Sequence, residues 1–516
     1  MRPILQAGRN AWVVDDVDEA GVLIDGLDYY RAFYAAARAA RAYILIAGWQ
    51  FDRDVALVRG DDLVEVDGPV GFRAFLSHLC EKNPDLEVRI LAWDFHAVYA
   101  FEREWFEKLF FDLGAHERIV YRTDSCHPVG ASHHQKFVVV DGEIGFLGGT
   151  DICAHRWDDR RHLPRNPDRT DAGGIAYGPY HEVQAYLRGP AVQRLTELFR
   201  ERWRSSGGGE LRLPSVARPP AAAIRPTISL PTRKAALSRT RGADIVPLHE
   251  AIHETRDLFV DAIGAAQRLI YLETQYFTAR AVHEALLLRM QDDGRPRPEI
   301  VLVLPSRAWA RPEALAVGRA QARVITDLVD RAGRTGTRLG VYATAPPGNA
   351  LPDGGTFIHS KVLCVDDRFL CVASANATNR SMGLDTELNV SWEATEGSPL
   401  ERAIRRTRVS LLAEHCGLGG ERAIRALARP DGLVRFLDGM TADPSARLRR
   451  YRPPPADAGL LSLIDPDGSA FDPDRPFVEA DLHELVASSS CSLLARLVRL
   501  VNRLLVGGEA QPATGR

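Results

Sequence analysis

Two short stretches decide how this chain is read. They are His133-His134-Gln135-Lys136-Phe137-Val138-Val139-Val140-Asp141 and His359-Ser360-Lys361-Val362-Leu363-Cys364-Val365-Asp366. Both follow the pattern His-x-Lys-x4-Asp, and His359 comes 225 residues after His134. His133 lacks the spacing to Lys136, so His134 is the motif histidine. Seven residues past each aspartate come small residues, Gly148-Gly149-Thr150-Asp151 and Ala373-Ser374-Ala375-Asn376. On a strand, side chains at i and i+2 share a face, so each histidine is expected beside its lysine. Small residues closing the next strand let backbone approach a ligand. Two such copies brought together would place two imidazoles and two ammonium groups around one pocket. That set suits a phosphodiester: the lysines hold non-bridging oxygens, one histidine attacks phosphorus, and the other protonates the leaving oxygen. A single His-x-Lys pair is a common accident of sequence; two copies in register with an independent repeat are not.

That repeat lies upstream of the motifs. Tyr43-Ile-Leu-Ile-Ala-Gly-Trp-Gln-Phe51 returns as Leu269-Ile-Tyr-Leu-Glu-Thr-Gln-Tyr-Phe277, each after an alanine-rich, helix-like run. Short apolar runs such as Ile90–Trp93, Phe137–Val140, Ile300–Leu304 and Val362–Val365 predict buried strands. Helical periodicity over Ala191–Trp203 and Ala314–Ala332 separates them. The expected fold class is α/β: two similar α/β/α-sandwich halves with mixed, mostly buried sheets, forming one pseudo-two-fold active site. The expected division is 1–204 for the first half and 244–425 for the second. Between them, 205–243 reads as a linker or surface crossover rich in Pro, Gly and Arg; 426–516 reads as a C-terminal extension. Within that extension Asp443–Pro476 is expected to wrap the surface. Ser490–Val506 is expected to form an amphipathic helix, either docked on the domain or lying on a membrane surface.

Composition sets outer limits. The chain has 516 residues, 45% hydrophobic and 26% charged, with net charge −3. This excludes collagen, a disulfide mini-scaffold and wholesale disorder. No run of 18 apolar residues and no secretory h-region is present, so a cytoplasmic chain, peripheral on the inner membrane face, is expected. Seven scattered cysteines without ligand spacing predict reduced thiols. Of the 65 basic residues only Lys82, Lys108, Lys136, Lys234 and Lys361 are lysine. Two of those five are motif lysines, where a compact ammonium fits a crowded phosphate pocket better than a guanidinium.

The duplicated motif resembles the signature of the phospholipase D superfamily. Ile270-Tyr-Leu-Glu-Thr-Gln-Tyr-Phe277, Gly148-Gly-Thr-Asp-Ile-Cys153 and Arg156-Trp-Asp-Asp159 are similar to segments of the eukaryotic-type phosphatidylcholine-cleaving enzymes. The likeness covers most of residues 25–420, and the lipid-targeting amino-terminal domains of those enzymes have no counterpart expected here. The resemblance implies a catalytic set of His134, Lys136, Asp141, His359, Lys361 and Asp366, with no cofactor and no metal. His134 is implied as nucleophile, His359 as acid and later base, and Lys136, Lys361 and Asn376 as phosphate-binding groups. Asp141 and Asp366 are expected to support the strand-turn geometry, and Asp151, an acceptor only, is not expected on the phosphate. A nucleophilic histidine needs an acceptor on its far nitrogen. Glu182 is expected to orient His134, and Glu387 to orient His359. Trp157 and His181 are candidate channel residues, core packing being the other reading for Trp157. The expected function is hydrolysis of a glycerophospholipid, phosphatidylcholine or phosphatidylethanolamine, through a phosphohistidine, with transfer to other alcohols as the same chemistry. A cardiolipin-synthase-type phosphatidyltransferase is the alternative, and a nucleic-acid phosphodiesterase ranks third. The expected partner is a phospholipid surface and not nucleic acid.

Overall fold

The computed structural model describes residues 3–94, 115–128, 130–216, 222–245, 248–306, 311–345, 355–443, 446–452 and 472–476. Two large mixed sheets organise them. Across the first run Ile228–Ser229, Glu19–Ile24, Val183–Arg188, Ile144–Gly148, Phe137–Val140, Tyr43–Gly48, Glu87–Trp93 and Ile119–Asp124. Across the second run Val13–Asp16, Lys234–Arg241, Glu387–Glu393, Phe369–Ala373, Val362–Val365, Leu269–Glu273, Glu299–Val303, Leu339–Thr344 and Leu448–Arg450. The seven strands from Glu19–Ile24 to Ile119–Asp124 and the seven from Lys234–Arg241 to Leu339–Thr344 follow the same order and sense. Tyr43–Gly48 and Leu269–Glu273 pair parallel with the next strand in sequence and antiparallel with the motif strand. The repeat read from the sequence is thus a repeat of topology.

Period-two alternation explains why these strands are apolar throughout. Leu45 and Val139 of the first sheet, with Tyr271 and Cys364 of the second, enter one shared core. Helices Ala191–Trp203 and Pro399–Cys416 contribute Leu195, Phe199, Ile404 and Leu411 to that core. The neighbours Ile44, Ile46 and Val138 face the other way, under helices Asp25–Arg38 and Phe72–Lys82. Ile270, Leu272 and Leu363 do the same under helices Glu254–Ala265 and Arg280–Gln291. Each sheet is therefore covered on both faces, and the two halves share a core.

The junctions differ from the expected divisions. Lys234–Arg241, placed by sequence inside the linker 205–243, is a mostly buried strand between Val13–Asp16 and Glu387–Glu393. It stands where Glu19–Ile24 stands in the first sheet. The edge strands are exchanged: Val13–Asp16 pairs into the second sheet, and Ile228–Ser229 pairs with Glu19–Ile24 in the first. Likewise residues 426–516 are not wholly an appendage, because Leu448–Arg450 extends the second sheet beside Leu339–Thr344. Buried Asp472 accepts hydrogen bonds from Thr278, Asn379 and Arg380. The expected helix at 490–506 lies outside the described residues. Among the described residues no helix is long and apolar enough to cross a membrane.

Candidate active site

The motif histidines and lysines lie just before their strands rather than within them. The strands begin at Phe137 and Val362, and the preceding residues are held by the opposite half of the chain. His134 N–H donates to the carbonyl of Thr386 at 3.0 Å, and Thr386 N–H donates back to Ser132 at 3.0 Å. In the second copy, Phe357–Ile358 pairs in parallel with Tyr180–His181, and His359 N–H donates to the His181 carbonyl at 2.9 Å. Each motif therefore runs alongside the residue that precedes the other half's glutamate.

This backbone pairing corrects the expected orientation of the carboxylates. His134 Nδ1 lies 3.0 and 3.1 Å from the two carboxylate oxygens of Glu387, and His359 Nδ1 lies 2.5 Å from Glu182 Oε2. The pairing is crossed: Glu387 serves His134, and Glu182 serves His359. In both histidines Nδ1 is occupied by a carboxylate, which leaves Nε2 to face the pocket.

The two copies differ in how the carboxylates are held. Ser374 donates its hydroxyl to Glu387 Oε2 at 2.5 Å. The matching position is Gly149, where an added Cβ would sit 2.8 Å from Glu182 Oε1. Glu182 instead accepts from the Val183 N–H at 2.9 Å, and burial pushes its carboxyl up to about 7. Burial also pushes the Lys361 ammonium down to about 7, against the opposing pull of Glu182. His359 is held well below the ordinary histidine range, first by burial and then by the charges of Lys361, Arg156, Lys136 and His134. Those neighbours show that both motifs meet in one site.

The remaining site residues fall into distinct places. Lys136 Nζ reaches the His134 carbonyl at 3.2 Å and Asp151 Oδ2 at 3.4 Å. Asp151 also accepts from the Trp49 N–H at 2.8 Å, so its carboxylate is engaged by protein. Lys361 Nζ donates to the His359 carbonyl. Asn376 Oδ1, at the position matching Asp151, is buried without a partner. Asp141 and Asp366 lie at the far ends of their motif strands. Asp141 accepts from the backbone of Arg41, Ala42 and Tyr43 at 2.7–2.9 Å, and Asp366 from Gln267, Arg268 and Leu269 at 2.7–2.8 Å. Their φ angles of +54° and +56° place both in left-handed turns, which aspartate tolerates. They fasten the turn after each motif strand to the start of its neighbour.

His181 departs from its channel reading, whereas Trp157 takes the core position that was its other reading and His133 stays outside the motif. His181 does not line the channel; it is fully buried among Asp25, Glu273 and Glu414. Trp157 packs in the outer core of the first half, with the Arg59 guanidinium 5.1 Å from its ring. His133 contacts Thr386 Oγ1 at 3.1 Å and Asp124 at 3.1 Å, and burial pushes it down to about 4, so it stays neutral. Sequence reasoning missed Ser374 and Arg156. Arg156 sits over the Tyr180 ring at 5.2 Å, and Tyr180 packs against His359 with ring centroids 5.4 Å apart. The replacement of Gly149 by Ser374 between matched positions was the available signal for the first.

Comparison with known proteins agrees with this geometry. A family model described as Phospholipase D matches residues 36–229, and one described as Cardiolipin synthase, PLD-like domain, matches residues 259–405. The chain is 23% identical to phospholipase D alpha 3 of Arabidopsis thaliana over 70% of its own length and 58% of that protein. It is 23% identical to phospholipase D alpha 1 of Zea mays over 80% of its length and 66% of that protein. It is 26% identical to cardiolipin synthase A of Pseudomonas putida over 76% of its length and 68% of that protein. The chain thus spans under two thirds of the two plant relatives. The crystal structure of the phosphatidylserine synthase of Haemophilus influenzae superposes with a TM-score of 0.51 at 12% identity, covering 83% of this chain and 94% of that one. With one matching model in each half and the duplicated motif converging on one site, the chain belongs to the phospholipase D superfamily.

Proposed function

We propose that this protein hydrolyses a glycerophospholipid, phosphatidylcholine or phosphatidylethanolamine, to phosphatidic acid and the free headgroup alcohol. The observation that carries this reading is the pair of glutamate-oriented histidines beside two lysines. The plant relatives, named phospholipase D, support the choice of substrate class.

In the first step His134 Nε2 attacks phosphorus, and the bond from phosphorus to the headgroup oxygen breaks. His359 Nε2–H gives its proton to the departing oxygen, so the alcohol leaves neutral. Lys136 and Lys361 take the non-bridging oxygens, and Asn376 offers a neutral amide nearby. In the second step His359 removes a proton from water, the hydroxide attacks phosphorus, and the P–N bond breaks to restore His134. The Glu387 carboxyl group, held by Ser374, faces the phosphorylated imidazole from its Nδ1 side. A bound phosphodiester anion also offsets the lysine charges that depress His359, so substrate raises the proton affinity of its own acid. Asp141 and Asp366 act as supports.

Any small alcohol that replaces water in the second step yields a phosphatidyl-alcohol. The match to a cardiolipin-synthase domain and relative favours a second reading on the same steps, phosphatidyl transfer to a lipid hydroxyl. Vesicles of labelled phosphatidylcholine, phosphatidylethanolamine or phosphatidylglycerol, with and without a primary alcohol, separate these. Choline or ethanolamine release with alcohol capture supports the proposal; cardiolipin from phosphatidylglycerol supports transfer. Cleavage of DNA with no turnover of any phospholipid would overturn the lipid assignment.

A further inference from the structure

His134 and His359 have the same immediate partners, a lysine two residues on and a glutamate from the opposite half. The motifs alone therefore do not give the two imidazoles different tasks. The residues two positions before each histidine and each glutamate do differ. In the first copy they are Ser132 and Asp385. Ser132 N–H donates to Asp385 Oδ1 at 2.7 Å, and Arg380 donates to the two oxygens of the same carboxylate at 2.8 and 3.1 Å. In the second copy the same places hold Phe357 and Tyr180, which stand opposite each other in the parallel pairing of Phe357–Ile358 with Tyr180–His181. A polar clasp in one copy is a pair of rings in the other.

Those rings continue into the active site. Tyr180 and Phe357 stack with centroids 5.7 Å apart and planes inclined by 27°. The His359 imidazole lies 5.4 Å from the Tyr180 ring at 31° and 6.2 Å from the Phe357 ring at 27°. All three separations fall within the range of paired aromatic side chains. On Tyr180 the half-buried Arg156 places its guanidinium 5.2 Å from the ring centroid, within cation–π reach. Tyr180 itself is fully buried, and close-packed surroundings hold a ring of that size in one orientation. The hydrogen bond from His359 Nδ1 to Glu182 Oε2, at 2.5 Å, fixes one corner of the imidazole. It leaves the ring free to turn about that bond. The stack removes this freedom, because it sets the plane of the ring and with it the direction of Nε2.

We propose that Arg156, Tyr180 and Phe357 are positioning residues for His359, forming a stack that aims its Nε2 at the oxygen of the leaving alcohol. This role rests on the phosphodiester reading above. Arg156 acts in two ways. It clamps Tyr180, and its charge bears on the imidazole. Burial disfavours a proton on His359, and the charges of Lys361, Arg156, Lys136 and His134 add to that, against Glu182 at Nδ1. The empty site therefore keeps His359 neutral. A phosphodiester anion offsets those cations, so Nε2 takes a proton from water and passes it to the headgroup oxygen as the P–O bond breaks. The polar clasp at Ser132 and Asp385 puts no ring and no such cation in the matching place beside His134, which divides the labour between two otherwise equivalent histidines.

The test compares two leaving groups on the full chain. A headgroup alcohol needs the His359 proton to depart from phosphatidylcholine or phosphatidylethanolamine, whereas p-nitrophenol leaves a phosphodiester without it. Arg156→Gln and Tyr180→Leu should each slow headgroup release about 10–100-fold, part of the 10²–10⁴-fold that a positioned acid contributes, and slow the p-nitrophenol burst less than about threefold. Tyr180→Phe keeps the ring and should recover most of the loss. In Arg156→Gln the alkaline limb of headgroup release should move to higher pH, because loss of a cation favours the imidazolium. Equal loss on both substrates, with the pH profile in place, is what a merely structural role would give and would overturn the proposal. NMR of ¹³C-labelled histidines in the substrate-free chain adds a readout without turnover, with His359 identified by its loss in His359→Ala. Its protonation midpoint should rise in Arg156→Gln; an unchanged midpoint would also overturn the proposal. If Tyr180→Leu does not fold, Arg156→Gln decides by both measurements. Failure of the wild-type chain to cleave either substrate would sink the phosphodiester reading, and the histidine titration would still test the stack.

Discussion

Replacing Glu387 with glutamine alters one group and leaves the fold in place, yet it should silence His134. The Glu387 carboxylate is fully buried and receives His134 Nδ1–H at 3.0 Å and the Ser374 hydroxyl at 2.5 Å. Glutamine fills the same volume. The Ser374 hydroxyl would claim the amide oxygen, and the amide NH₂ would turn toward Nδ1. Two donors cannot share one bond, so the imidazole proton shifts to Nε2, and the nitrogen that should attack phosphorus loses its lone pair. A wrong tautomer of this kind costs about 10⁴ in kcat where a carboxylate orients a histidine, equivalent to about 5.4 kcal/mol at 1.36 kcal/mol per tenfold. The assay is a burst experiment with a p-nitrophenyl phosphodiester, whose leaving group needs no proton from His359. Glu387→Gln should abolish the burst. Glu182→Gln, acting on His359, should keep the burst and slow the turnover that follows. The opposite pattern would refute the crossed pairing and restore within-half orientation.

Other substitutions test the surrounding geometry. Ser374→Ala removes one charge-assisted hydrogen bond from Glu387 and should lower kcat about 10–100-fold, measured on the same substrate, as expected for about 1.5–3 kcal/mol. Lys361→Arg should lose activity although the charge is kept, because Cδ of Lys361 already lies 3.1 Å from where a Cβ on Gly149 would stand. Lys361→Met should be inactive yet more stable in chemical denaturation at low pH, because burial is the largest cost on the ammonium it removes. The stability contributed by the depressed ammonium is complete above the unfolded value near 10.5 and is lost as pH falls from there through about 7. The gain from Lys361→Met should therefore be largest below about pH 7 and fade toward pH 10.5. Glu182 runs the other way: its raised carboxyl contributes stability below about pH 4.5 that is lost as pH rises through about 7. Glu182→Gln should flatten the melting temperature across that interval. Asp141→Ala strands three backbone N–H groups and should cost about 2–4 kcal/mol of stability, with a smaller loss in kcat measured well below the melting temperature.

Much of the fold was legible because the halves repeat. Strands buried on both faces are written as apolar runs, and Phe137–Val140 and Val362–Val365 needed only length and flanking turns to be recognised. The pairing of His134 with Glu387 was not legible. It depends on bridges between residues about 250 positions apart, His133 with Thr386, and spacing along the chain carries no trace of which half meets which. Lys234–Arg241 was hidden for a different reason. Its run Lys-Ala-Ala-Leu-Ser-Arg-Thr-Arg carries three cations, and prolines crowd the stretch before it, so local composition speaks for a loop. Pairing on both sides with Val13–Asp16 and Glu387–Glu393 overrides that composition. His181 was misplaced because a histidine beside a functional glutamate reads as functional itself. On a strand-like segment its side chain points to the opposite face, into the buried cluster.

The central claim is that one histidine becomes covalently phosphorylated, and mass spectrometry of an alkaline-quenched reaction tests it most directly. With a short-chain phosphatidyl-p-nitrophenol, whose leaving group needs no proton from His359, and the His359→Ala variant, whose second step is blocked, the peptide carrying His134 should gain the mass of the phosphatidyl group. A phosphatidyl adduct on any other residue, or turnover in the wild-type chain with no adduct on His134 at any quench time, would contradict it.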